Sequence, residues 1–371
     1  MKVTFPYMGT TVIYKKLVEL LGHEAITPPR PTKQTIDLGV KHSPEFACFP
    51  FKAIMGSYLE AVALGADTIV TSGGHGPCRA GFYAEVHRRI LENLGHQVRM
   101  IVFDAPGRGW RKFLHNVRLL KGDCSWLQVY RALKLVYGMV HELDRLERRM
   151  TCLRAHEAIP GCASHAWTRI QALFDQVHDR PSLRQAARES ARLLELVQTS
   201  ESNQPALRIG IVGEIYVVME SSINFELEEM LGKFGVEAER SQYLSEWVEF
   251  NFFPGWLKER THEAAILKKG EPYLPLVIGG HAKQTVGHIV DYHERGFDGV
   301  IHLMPFACLP ELVTQSIIPH LSQSLDMPIL SLSIDEQTGL ANTLTRIEAF
   351  IDLLRSKRQH QQPKPEREAA S

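Results

Sequence analysis

Three of the six cysteines in this chain sit where the backbone must turn. Cys48 lies in Phe46-Ala47-Cys48-Phe49-Pro50, Cys78 in Gly73-Gly74-His75-Gly76-Pro77-Cys78-Arg79, and Cys308 in Phe306-Ala307-Cys308-Leu309-Pro310. Two of them share the pattern Phe-Ala-Cys-apolar-Pro, 260 residues apart. Thiolates at a few fixed turns, with backbone able to approach the sulfides, are what an iron–sulfur cluster requires. Gly73, Gly74 and Gly76 permit close approach and positive φ, and their amides can point at sulfur. Pro50 and Pro310 stiffen the chain beyond the other two thiols. Phe46, Phe49, Phe306 and Leu309 supply an apolar shell of the kind that tunes potential. Cys48, Cys78 and Cys308 are therefore read as metal ligands, with Gly74 and Gly76 lining the same cofactor. Three ligands on a four-iron cube leave one iron open to substrate, water or a bridging sulfide. Cys124, Cys152 and Cys162 lack such turns and read as ordinary thiols.

Other groups offer competing chemistry. Lys41-His42-Ser43-Pro44-Glu45 precedes Cys48, which makes Glu45 and His42 candidate proton donors beside the cluster. His75 and His281 each follow Gly-Gly and read as polar turn residues; zinc held through His75 and Cys78 is the alternative. Asp291-Tyr292-His293-Glu294-Arg295-Gly296 fits the D-x-H-x-x-G pattern that gives a histidine to cobalamin, but here it falls at a helix end before a strand. Gly107-Arg108-Gly109 lacks dinucleotide-fingerprint spacing, and there is no Walker A motif, so the chain is not expected to hydrolyse ATP itself. The absence of any CxxC pair disfavours zinc ribbons and thioredoxin-type sites.

The elements that must position these residues alternate between strand and helix. Lys2–Phe5, Glu24–Ile26, Ala66–Thr71 and Val98–Phe103 read as strands, separated by helices that include Pro50–Leu64 and Tyr83–Leu94. From 107 to 200 the strand signals vanish. Leu133, Val136, Tyr137, Val140 and Leu143 follow helical spacing. From Arg108 to Arg154 there are eleven Lys/Arg against four Asp/Glu, which reads as a solvated helical face or a docking surface for an acidic partner. Residues 207–355 return to α/β, with strands expected at Leu207–Val212, Pro275–Ile278, Gly299–Leu303 and Ile329–Leu332. A closing helix is expected at Thr345–Leu354, with Thr345 and Glu348 forming a capping box. The fold class is thus α/β: two tandem doubly wound parallel-sheet domains with a helical segment between them. The expected boundaries are 1–106, 107–200 and 207–355, followed by a disordered tail at 356–371.

The two α/β parts echo each other. Leu21-Gly22-His23-Glu24-Ala25 resembles Phe234-Gly235-Val236-Glu237-Ala238, and Gly65-Ala66-Asp67-Thr68-Ile69-Val70 resembles Gly296-Phe297-Asp298-Gly299-Val300-Ile301. Cys78 and Cys308 then follow the carboxyl ends of equivalent strands, where open parallel sheets bind ligands. Two such sheets with strand ends facing each other would bring both cysteines to one cleft, with Cys48 closing the third side.

Composition narrows the class. With 42 Lys+Arg against 42 Asp+Glu the net charge is zero, which argues against a nucleic-acid or general polyanion binder. No apolar run approaches the roughly 20 residues of a membrane span, and the start lacks a signal stretch, so the expected place is the cytoplasm.

At these residues the chain resembles a known group. Phe5-Pro6 with Gly9, Lys41 through Pro50, Gly76-Pro77-Cys78-Arg79, Gly213-Glu214, Pro305 through Pro310 and Asp335-Glu336-Gln337-Thr338-Gly339 are similar to the activase-related branch of the 2-hydroxyacyl-CoA dehydratase and benzoyl-CoA reductase superfamily. The resemblance covers residues 1 to about 355. It implies tandem α/β domains holding a [4Fe–4S] cluster, or in some members an [8Fe–9S] double cubane, with Cys48, Cys78 and Cys308 as ligands. It also implies low-potential electron transfer to a small-molecule substrate, primed by a separate ATP-hydrolysing iron–sulfur activator. A homologous subunit or a second copy would be a partner. No appended ATPase domain, of the kind some members carry, is expected. The expectation is a reductase- or dehydratase-like component; the alternatives are a non-catalytic electron carrier or scaffold subunit, and a zinc- or corrinoid-binding α/β protein.

Overall fold

The computed structural model describes residues 1–73, 77–200 and 205–361. The first α/β unit runs β1 (Lys2–Thr4), α1 (Val12–Leu20), β2 (Glu24–Ala25), α2 (Lys33–His42), α3 (Phe49–Ala63), β3 (Thr68–Ser72), α4 (Tyr83–Asn93) and β4 (Arg99–Phe103). The helical segment follows as α5 (Trp110–Lys121), α6 (Trp126–Arg154), α7 (Cys162–Asp175) and α8 (Arg180–Glu195). The second unit begins with β5 (Leu207–Gly213), α9 (Ile215–Met219), α10 (Leu227–Lys233), β6 (Val236–Arg240) and α11 (Leu244–Phe252). It continues through α12 (Gly255–Lys258), α13 (His262–Gly270), α14 (Ala282–Glu294), β7 (Gly299–Pro305), α15 (Leu309–Ser324), β8 (Ile329–Ile334) and α16 (Leu340–Gln361). The protein is thus an α/β chain with two four-stranded sheets and helices between them.

Every strand pair is parallel, and the two sheets have the same order, β2-β1-β3-β4 and β6-β5-β7-β8. In each, the order reverses between the first and third strands, so the loops leaving them part and open a crevice at the carboxyl edge. The sequence echo has a physical basis. Gly65 and Gly296 follow α3 and α14 with φ of +96° and +72°. Two residues on, Asp67 and Asp298 accept the amides of Lys2 (3.0 Å) and Arg208 (2.7 Å), pinning β1 and β5 to the loops ahead of β3 and β7.

α3 is the helix between the sheets. Its residues are buried almost all round, as expected of a helix packed on several sides. Phe49 and Ala53 join the core of the second sheet, with Ile209, Ile211, Ile301 and Leu303. Lys52 pairs with Glu336 of the second unit at 2.5 Å. Because α3 runs antiparallel to the strands, its N-terminus, and Cys48 with it, sits at the carboxyl edge.

Several expectations are corrected. Pro275–Ile278 forms no strand; Leu276 and Val277 are exposed and line a cavity instead of joining a sheet. Thr345 caps nothing: α16 begins at Leu340, and the Thr345 hydroxyl donates to the Ala341 carbonyl at 3.1 Å. The helix is launched earlier, by the Asp335–Thr338 turn and Gly339. It also continues through Gln361, past the Ser356 start expected for the tail. On α6 the core-facing stripe is rotated from the one expected. Val136, Val140 and Leu143 are buried, but Leu133 is 51% exposed and, with Tyr137, faces the cavity. α2, opened by a Thr32–Thr35 capping box, lies in a stretch where no helix is expected from the sequence. Among the described residues no helix is long and apolar enough to cross a membrane.

Candidate metal centre

The repeated Phe-Ala-Cys-apolar-Pro is a helix-start device. Cys48 and Cys308 are the N-caps of α3 and α15, and Pro50 and Pro310 fall in the first turn, where a missing N–H costs nothing. Each cysteine carbonyl begins its helix, accepting from Phe51 and Leu312 at 3.0 Å. Neither thiol spends itself on a cap hydrogen bond. Both therefore stand at a helix N-terminus, which favours negative charge. Cys78 precedes the short 3-10 turn Arg79–Phe82 that leads into α4.

The three loops are stitched together. Phe49 N–H donates to the Phe306 carbonyl at 3.3 Å, joining the Cys48 loop to the Cys308 loop. The Arg79 guanidinium donates to the Phe46 carbonyl, joining the Cys78 turn to the Cys48 loop. Gly280, just before α14, closes the circuit. A Cβ there would lie 2.6 Å from Pro310 Cγ and 3.6 Å from Cys78 Sγ, and its φ is +57°. Only glycine fits this position.

All three thiols are held up by burial. Cys48 is pushed to about 11, opposed by the Tyr83 hydroxyl that meets its sulfur and reinforced by Glu214 and Cys78. Burial also raises Cys78, against the Ala80 amide and with help from Glu214 and Glu311. Cys308 is raised by burial, Glu311, Glu214 and Cys48. The three sulfurs thus feel one another and share Glu214. They are neutral thiols until a cation replaces their protons, which inverts this balance.

Two carboxylates complete the surroundings. Gly213 ends β5 with φ +140°, and a Cβ there would lie 2.0 Å from the Leu303 carbonyl. That close approach delivers Glu214 to the crevice between β5 and β7. Glu214 caps α9, its Oε2 accepting the amides of Tyr216 (3.0 Å) and Val217 (3.2 Å). Burial lifts it to about 7 in spite of those bonds, with Glu311 adding to the rise. Glu311, in the first turn of α15, is wholly buried with His302 Nε2 at 2.9 Å and the Thr285 hydroxyl at 3.3 Å. His302 Nδ1 lies 3.1 Å from Ser331 Oγ, so a polar chain leads away from behind Cys308.

Among the described residues, no three His, Cys, Asp or Glu side chains could hold a single metal ion together. Three free thiols that share one neighbourhood without meeting at a point suit a polynuclear cluster, whose irons each take one thiolate. The residues present fit such a group.

Of the other expected site residues, Gly74 and Gly76, with His75, lie outside the described residues. Glu45 is exposed and His42 half-buried at the end of α2, and neither lines the cavity beside Cys78. Cys124 donates to the Leu21 carbonyl at 3.3 Å, Cys152 is exposed, and Cys162 packs against the helical core. Asp291 pairs with Lys269 and Arg295 at the end of α14, ahead of β7. No local sequence motif marks Tyr83, Glu311 or His302 as part of the site, and Glu214 is marked only by the Gly213-Glu214 pair.

Cys78 opens onto a cavity of about 1250 Å³ between the first sheet, the helical segment and α11. Its walls are mostly apolar, with Phe5, Tyr137, Trp247, Phe252 and His281 among them.

A family model described as 2-hydroxyglutaryl-CoA dehydratase, D-component, matches residues 25–354. No curated protein matches the chain.

Proposed function

We propose that this chain, which belongs to the 2-hydroxyglutaryl-CoA dehydratase D-component family, holds an iron–sulfur cluster on Cys48, Cys78 and Cys308 and works in activator-primed electron transfer to a 2-hydroxyacyl thioester. The observation that carries this reading is the convergence of three free thiols, Cys48 and Cys308 buried and Cys78 half-buried, from both α/β units around Glu214. A [4Fe–4S] cluster, when bound, supplies one-electron transfer at low potential. The electron source in this reading is a separate ATP-hydrolysing iron–sulfur activator, and a homologous subunit or a second copy completes the assembly.

The chain's own residues have three tasks. The apolar cavity walls bind the acyl part and exclude water, which strengthens electrostatic effects at the reacting group. Cys78 borders that cavity and puts the cluster within its reach. Burial lifts Glu214 to about 7, so it is partly protonated at neutral pH, and with Oε2 engaged by two amides the proton falls to Oε1.

Anaerobic isolation with iron and acid-labile sulfide assays and EPR tests the reading. Cys48→Ala, Cys78→Ala and Cys308→Ala each lose most of the iron, whereas Cys124→Ala keeps it. Iron-free protein carrying stoichiometric zinc or cobalt would sink the proposal. Turnover of a 2-hydroxyacyl-CoA with an activator present separates an enzyme component from a mere electron carrier.

A further inference from the structure

The basic excess on α5 and α6 surrounds a strip of bare apolar side chains. From Trp110 to Val140 six Lys/Arg stand against one acid, Asp123. Lys112 pairs with Asp104 at 3.3 Å. Among the described residues Arg111, Arg118, Lys121, Arg131 and Lys134 have no carboxylate partner. Such cations repel one another until an anion arrives. On α6 Trp126, Tyr130 and Leu133 are 50%, 59% and 51% exposed. Spaced four and three apart, they fall on one face of the helix, which Tyr137 and Val140 continue. Tyr130, Leu133, Tyr137 and Val140 line the cavity that Cys78 borders. The strip thus runs from solvent into that cavity, over about 21 Å of helix from Trp126 to Val140. At its outer end each ring carries a lysine. Lys121 Nζ lies 5.8 Å from the Trp126 ring centre and Lys134 Nζ 5.7 Å from that of Tyr130. Lys121 also donates to the Gly122 and Cys124 carbonyls.

We infer that Trp126 and Tyr130, with Lys121 and Lys134, bind the nucleotide end of the thioester carrier. The rings take its planar base and the lysines its phosphates, while its thin pantetheine arm lies along Leu133 and Tyr137 towards Cys78. The inference rests on the thioester reading above. It adds the residues by which the chain selects a nucleotide-bearing carrier over the same arm on an acidic carrier protein. An acidic protein makes use of the five cations, but it has no need of a bare ring beside each lysine. A purine with phosphates uses both, because its flat face stacks on the ring and its charge meets the ammonium. The position on the helical segment fits as well. The ligand's reacting end must reach Cys78 deep in the cavity, so its far end falls at the mouth, where α6 emerges into solvent.

Equilibrium binding of free CoA to the full chain, followed by calorimetry and tryptophan fluorescence, tests this without turnover. Phosphopantetheine, which keeps the arm and lacks the base, is the second probe. The parent is expected to bind CoA about tenfold more tightly than phosphopantetheine. Tyr130→Ala and Lys134→Glu are each expected to weaken CoA about tenfold and to leave phosphopantetheine binding within about twofold of the parent. Both side chains are exposed, so the denaturation midpoints of the variants stay at the parent value. CoA affinity that is the same in the parent and in both variants overturns the inference and leaves the thioester reading standing. A parent that binds both probes equally also overturns it, and favours an arm borne on a carrier protein. A parent that binds neither CoA nor a 2-hydroxyacyl-CoA overturns both the inference and the thioester reading, while iron on the three cysteines is judged by its own assay.

Discussion

His87 carries the clearest pH signature in the molecule. It lies one turn beyond Tyr83 on α4, the residue whose hydroxyl meets Cys48. Its ring stacks on Phe51 at 4.0 Å between centroids, and its Nε2 lies 3.1 Å from the Phe51 carbonyl. Burial drives it from 6.5 down to about 4, against the pull of that carbonyl. Between those values the unfolded chain binds a proton that the folded chain refuses. Stability is therefore full above about pH 6.5 and drains as pH falls towards 4. From about pH 7.5 to about pH 5 the loss from this one group is roughly 2 kcal/mol. His87→Gln cannot titrate there and should lose less by about that amount when both are unfolded in urea at the two pH values. Parallel losses in parent and variant would refute the assignment. At this scale the sequence was most legible where residue type and backbone chemistry coincide, as at the three cysteines beside glycine or proline. Tyr83, Glu311 and His302 carry no such local mark. Their roles come from helix and strand packing across sequence separations that no spacing rule covers.

Gly213 shows what the elements demand of single positions. β5 must end close against β7 for Glu214 to enter the crevice, and a Cβ would lie 2.0 Å from the Leu303 carbonyl at a φ of +140°. Gly213→Ala therefore meets both backbone strain and a clash with backbone that cannot swing aside. It should cost more than about 2 kcal/mol of stability by denaturant titration. Wild-type stability in that variant would mean that the β5 end can relax without penalty. The alternation of strands and helices was legible because parallel strands buried on both faces read as short apolar runs between helical stretches. The matched Gly-x-Asp phrases gave the repeat, and Asp67 and Asp298 now account for it. Pro275–Ile278 misled because an apolar run lining a cavity has the same composition as a buried strand. Thr345 misled because Thr-x-x-Glu can also occur inside a helix, where the hydroxyl bonds back to the preceding turn.

The whole molecule depends on how the helical segment is tied to the second sheet, because α6 walls the cavity on one side. Its core stripe, including Met139, Leu143, Leu146 and Met150, packs with Val12 and Ile13 of the first unit and Leu244 of the second, so one apolar core spans all three parts. Beside it, Arg240 of β6 is buried against Glu147 of α6 in a bidentate pair, with Nη1–Oε1 at 3.0 Å. Its Nε donates to the Gln242 carbonyl at 3.0 Å, and Glu228 stands 3.7 Å away. Arg240→Ala leaves the buried Glu147 without its cation and Glu228 with only Arg154 at 3.9 Å, and removing one partner of such a pair costs about 3–5 kcal/mol. Glu147→Ala should cost less, since Arg240 keeps Glu228. The pair itself need not stabilise relative to an apolar match, so Arg240→Met with Glu147→Leu should recover most of the loss from Arg240→Ala. Denaturant midpoints of the three variants give the order directly. If Arg240→Ala unfolds at the parent midpoint, α6 is held by its apolar stripe alone. If the double variant is no better than Arg240→Ala, then the geometry of the ion pair, rather than relief of unpaired charge, is what holds the cavity wall to the second sheet.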